Sequence, residues 1–171
     1  MALIVEDGTG LPDSDSYISL TDARSYAAAY GVTLPTDDTA AEVALRQGAA
    51  YVDMQEGCFT GTRLNETQAL AWPRYGAVNA YGFAIPSDSV PAAMKYAQVY
   101  AAAEYGAGTD VRATDDGKGI ASEEVVGAVK VSYFDNGKTG GSVVITKAMD
   151  ALKPLLVACG NNGFSFRVGR A

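Results

Sequence analysis

The side chains that could do chemistry are few, and their spacing does not suit it. Acidic pairs stand at Asp37-Asp38, Asp115-Asp116 and Glu123-Glu124, a grouping that can hold a cation or share a proton. None has the ligand spacing of a calcium-binding loop, so they read as solvated surface charge. Histidine is absent. That removes the Ser-His-Asp triad, Cys-His nucleophiles and His-ligated zinc. Cys58 and Cys159 lie far apart with no C-x-x-C, which excludes thioredoxin-like chemistry; they read as reduced, partly buried thiols. The glycine-rich stretches "GTGLPDSDS", "GKGIAS" and "GNNGFSFRVG" lack the spacing of a phosphate-binding loop or a dinucleotide fingerprint. No Ser-x-x-Lys occurs. The expectation is a protein that is not an enzyme and needs no metal or cofactor.

One cluster has a nucleic-acid character. Arg63, Arg74 and Tyr75 bring charge and a ring to "AWPRYG", as a single-strand platform would. Against it stand 13 Lys+Arg and 20 Asp+Glu, a net charge of −7, where a generic nucleic-acid binder carries a basic surface. With 48% hydrophobic and 19% charged residues in 171, the chain reads as one globular domain. No stretch reaches the roughly 18 apolar residues of a membrane helix. The start, "MALIVEDGTG", turns acidic too early for a signal peptide.

The elements that position these groups follow from caps and periodicity. Residues 1–18 hold two glycines, a proline and several acids, and read as an extended arm awaiting a partner surface. The first helix starts at Ser19, which forms a capping box with Asp22, and runs to Tyr30 with Gly31 closing it. Leu20, Ala23, Ala27 and Tyr30 share one face. The second helix is expected over Thr39 to Gln55, with Gly48 marking a close helix crossing. A short helix is expected over Glu66 to Ala71, capped by Asn65 with Gln68 at the third position.

Residues 57–88 otherwise form an irregular segment rich in aromatics, packed on the helices or facing another subunit. The third main helix follows Asp88, Ser89 and Pro91 and ends at Gly106. "VVGAVKVSYF" reads as a strand turning at Asn136-Gly137 onto 143–145. The last helix is expected from Thr146 to Ala158, bent or ended by Pro154. The tail alternates Phe164, Phe166 and Val168 with polar residues and carries Arg167 and Arg170. It reads as a docking peptide or a disordered end. The fold class is therefore mainly α: four to five helices, a small β hairpin at about 125–145, a core of 19–160, an N-terminal arm of 1–18 and a C-terminal tail of 161–171.

"VEDGTGLPDSDSYISLTDARSYAAAYG", "ALRQGAAYVD", "ALAWPRYG", "IPSDSVPAAMKYAQVYAAAEY" and "VVGAVKVSYF" occur in this order. Together they resemble a family of small tailed-phage proteins labelled "DnaT-like putative ssDNA-binding", which are similar to head–tail connector (adaptor, head-completion) proteins. The resemblance spans nearly the whole chain. It implies a structural virion protein in a ring, usually a dodecamer. The ring joins the portal protein of the capsid to a downstream tail or nozzle protein, in the virion neck. Genomic DNA passes through the lumen without sequence-specific binding, and no membrane is involved. On this resemblance Phe164, Phe166, Arg167 and Arg170 face the portal, and Trp72, Arg74 and Tyr75 lie at the subunit interface. The alternatives are a single-stranded nucleic-acid binding module and another tail-completion ring protein.

Overall fold

Two helices pass each other at a glycine. α2 (Asp38–Asp53) and α3 (Ala92–Gly106) make the most extensive contact in the chain, and Gly48 lies at their crossing. A Cβ on Gly48 would stand 2.5 Å from the Gln98 carbonyl oxygen and 3.0 Å from the Ala102 nitrogen, so only glycine permits this approach. The computed structural model describes residues 2–109 and 144–159, with the backbone of two strands at 122–125 and 129–132. It is mainly helical, as the sequence implies. α1 (Leu20–Tyr30) begins at Ser19, whose hydroxyl accepts the Asp22 amide and donates to the Asp22 carboxylate. It ends at Gly31 in the left-handed conformation, φ 64°. α4 (Thr146–Leu152) packs on α3 and stops two residues before Pro154.

The short helix expected over Glu66 to Ala71 does not form. Half of its capping box is present, since Gln68 Oε1 accepts the Asn65 amide. The two side chains then turn elsewhere. Asn65 Nδ2 donates to the carbonyls of Thr9 and Gly10, and Gln68 Nε2 donates to those of Leu70 and Pro73. The segment is instead pinned between β1 (Thr62–Arg63) and β2 (Arg74–Tyr75), an antiparallel pair.

A second, separate unit covers residues 110–144. In it β3 (Ser122–Val125) pairs antiparallel with β4 (Val129–Ser132), Val125 opposite Val129. The strand at 129–132 thus pairs with the residues before it, at 122–125, and Val144 and Ile145, expected in the partner strand, lie in no strand among the described residues. Asn136-Gly137 lies outside the described residues.

Residues 2–18 contain no helix but are ordered by their own chain. Glu6 is buried, and its carboxylate accepts the amides of Gly8, Gly10 and Leu11 and the Ser14 hydroxyl. Gly8 has φ 104°, and a Cβ there would overlap the Asp88 carbonyl. The segment is closed on α2 by an ion pair between Asp15 and Arg46.

Its last residues enter the core: Ser16 and Tyr17 are fully buried, with Leu45, Val52, Trp72, Met94, Val99 and Leu152. The Tyr17 hydroxyl donates to Asp53 and accepts the Trp72 amide at 3.2 Å, while Asp53 also accepts the Ala71 amide at 3.1 Å. Burial pushes the Asp53 carboxyl up to about 6 from 3.8, against the lowering effect of the Tyr17 and Ala71 bonds. Burial, then the Asp53 charge, holds the Tyr17 phenol well above its ordinary range.

The cysteines correct the expectation of two reduced thiols. Cys58 and Cys159 form a disulfide across 101 residues. The Ala158 amide donates to the Cys58 carbonyl at 2.9 Å, so the end of the described chain lies along the segment after α2. Closing a loop of this size is worth about 4–5 kcal/mol in the chain-entropy picture.

Gly48→Ala should lower stability by about 1–3 kcal/mol, because the clash is with backbone and outweighs the roughly 1 kcal/mol gain in helix propensity. Thermal unfolding reads this as a fall in Tm of several degrees; a rise would contradict the close crossing. The raised Asp53 carboxyl gives a second prediction. A folded-state value above the unfolded one stabilises most below about pH 4, and that contribution is lost as pH rises through about 6. The Tm difference between Asp53→Asn and wild type should therefore grow in favour of the variant from pH 4 to 7. A difference that stays constant over this range would contradict the assignment.

Candidate tyrosine platform

α1 carries Tyr26 and Tyr30 four residues apart, and α3 carries Tyr96 and Tyr100 at the same spacing. This spacing puts each pair on one helix face. Tyr26 stacks on Tyr30 with ring centroids 4.4 Å apart and on Tyr96 at 4.2 Å, nearly parallel at 11°. Tyr100 meets Tyr26 edge-on at 5.9 Å, and the Tyr26 hydroxyl donates to that of Tyr100 at 3.1 Å. Burial, followed by the bond to Tyr100, keeps the Tyr26 phenol above its usual value. The outer rungs reach solvent: Tyr30 is 63% exposed and Tyr96 38%.

The Tyr26–Tyr96 stack is a wall between two grooves. The larger, about 540 Å³, is lined by Tyr26, Tyr96, Tyr100, Lys147 and Asp150, with Ala93 and Ala151 at its base. The smaller, about 330 Å³, includes Val5, Ile18, Asp22 and Lys95 beside the same two rings. Each groove thus has one lysine and one aspartate. Neither lysine has a carboxylate within 4.0 Å among the described residues, whereas Asp150 is paired with Lys153 at 2.7 Å. Flat aromatic rings with an ammonium group nearby can stack a planar π system and meet an anion.

The expected sites fall elsewhere. Trp72 is 1% exposed, set edge-on against Phe59, and is followed by a cis peptide bond to Pro73. Arg74 is buried and donates to the carbonyls of Thr60, Gly61 and Ala71 and to Glu56 at 3.1 Å. Arg63 binds the same Glu56 through two nitrogens, at 2.7 and 2.6 Å. The Arg63 bonds first, then those from Arg74, hold the Glu56 carboxyl below its ordinary value. The "AWPRYG" charges are therefore spent within the fold. Trp72 and Arg74 are buried, while Arg63 and Tyr75 reach solvent. Phe164, Phe166, Arg167 and Arg170 lie outside the described residues.

Tyr26 carries the ladder, and Tyr30, expected on one face with Ala23 and Ala27, turns to solvent while those two alanines are buried. The signal was present as two Tyr-x-x-x-Tyr pairs, at 26/30 and 96/100, on two helices. No curated protein and no solved structure matches the chain. The family model described as "Putative DnaT-like ssDNA binding protein" matches residues 1–171, and the chain belongs to that family.

Proposed function

We propose that the chain contacts single-stranded nucleic acid through the tyrosine platform of α1 and α3. The observation that carries this reading is the stacked ladder of Tyr30, Tyr26 and Tyr96 between two grooves that each offer a lysine. Bases stack on the exposed rings, and Lys95 and Lys147 meet the flanking phosphates. The description of the family agrees with this reading. With only two lysines at the platform and a chain charge of −7, binding is weak and nearly independent of sequence.

A second reading is the ring connector in a phage neck, holding the portal by residues 164–170 and passing genomic DNA through its lumen. It is favoured by the state of the arginines. All four described ones are paired with carboxylates: Arg24 with Asp38, Arg46 with Asp15, and Arg63 and Arg74 with Glu56. Arginines so occupied by carboxylates are poorly placed to grip DNA, which would let it slide past.

Titration of a fluorescent oligo-dT with salt separates the two. The platform reading predicts a log–log salt slope of about −1.4, as two phosphate contacts would give. It also predicts a loss of about 5- to 100-fold in affinity for Tyr30→Ala combined with Tyr96→Ala. Binding unchanged by these substitutions, or none at low salt, would remove the platform reading. Co-elution with purified portal protein, lost on deleting residues 161–171, is the outcome the connector reading predicts.

A further inference from the structure

The hairpin of residues 77–85 displays rings that its own fold leaves uncovered. It is closed by the Val78–Ala84 bridge and by the Ile85 amide donating to Ala77, and Asn79 Oδ1 accepts the amides of Tyr81 and Phe83. These bonds fix the backbone, yet Tyr81 is 73% and Phe83 69% exposed. Two large exposed rings two residues apart on a well-bonded turn are a surface waiting for cover.

The end of the described chain runs to this place. The Ala80 amide donates to the Pro154 carbonyl at 2.8 Å, the Ala158 amide to the Cys58 carbonyl at 2.9 Å, and Cys159 is bonded to Cys58. Two residues on, the Thr60 hydroxyl donates to the Val78 carbonyl at 2.8 Å, at the base of the same hairpin. Residues 154–159 thus lie along the strip that supports Tyr81 and Phe83. Residues 160–171 continue from there, alternating Phe164, Phe166 and Val168. The first of these rings is five residues past Cys159, a reach of about 17 Å, and the last residue has about 40 Å.

We propose that in the free subunit the chain's own C-terminal segment, residues 160–171, docks across the Tyr81/Phe83 face of the 77–85 hairpin. The choice of occupant rests on where the described chain ends, on the period-2 apolar alternation in the sequence of residues 164–168, and on the exposed rings of the hairpin. The surface is separate from the tyrosine platform, so the proposal stands or falls independently of nucleic-acid binding.

Trypsin cuts after Arg167 and Arg170, so limited proteolysis of the full chain with mass spectrometry reads the docking. Wild type should lose its tail at least tenfold more slowly than Tyr81→Ser combined with Phe83→Ser. Phe164→Ser combined with Phe166→Ser should be cut as fast as the hairpin variant. Tyr30→Ser, removing an exposed ring elsewhere, should behave as wild type, and protection should not depend on protein concentration. Equal cleavage of all forms would overturn the proposal. Protection that rises with concentration alongside a larger species would assign the surface to a second copy and overturn the own-chain assignment.

Discussion

The folded unit depends on one buried amide. Gln98 lies on the inner face of α3, wholly shielded from solvent. Its Nε2 donates to the Ser16 hydroxyl at 2.7 Å and to the Leu45 carbonyl at 2.9 Å, and its Oε1 accepts the Tyr17 amide at 2.9 Å. Three pieces of chain meet at this side chain: the N-terminal segment, α2 and α3. A buried amide with its partners in place adds specificity, whereas the same groups left unpaired each cost roughly 1–3 kcal/mol. The Gly48 crossing makes the arrangement possible, because it brings the Gln98 backbone against α2.

What Gln98 holds in place reaches the surface on two sides. Tyr17, fixed by its amide, sends its hydroxyl to Asp53 and to the backbone of Trp72, so the irregular segment after α2 is tied to the N-terminal one. Val5 and Ile18, carried by that same segment, line the smaller groove beside Tyr26 and Tyr96. The platform therefore stands on a rigid seat, with its rings presented by helices and not by loops. Charge is distributed to the same end. Carboxylates hold the described arginines, and the exposed aromatic surface is left with a neutral or weakly basic setting.

The sequence was most legible where the signal is local. Ser19 with Asp22, Gly31 and Pro154 mark helix ends by chemistry acting within one turn, and each stands where that chemistry puts it. Gly48 was legible too, because a helix-interior glycine needs a reason. The failures are long-range. Asn65 and Gln68 have the spacing of a cap, but Asn65 finds better acceptors in Thr9 and Gly10, over 50 residues away. Cys58 and Cys159 are brought together by packing that spacing cannot announce. "AWPRYG" with Arg63 reads as an open basic platform only because Glu56, whose one carboxylate is shared by Arg63 and Arg74, lies outside the motif. The tyrosine ladder needed the α1–α3 contact before two ordinary Tyr pairs became one stack.

The claim that the Gln98 amide is the central fastening of the N-terminal segment to the helix pair is tested most directly by native-state hydrogen exchange on Gln98→Leu. Leucine keeps the bulk and removes every bond, leaving the Tyr17 amide without an acceptor. Protection of the Tyr17 amide should fall about 10- to 100-fold further than that of the Ala49 and Val52 amides in α2, which report the global loss of stability. If the Tyr17 and α2 amides lose protection equally, the segment is held by the fold as a whole and the account is wrong.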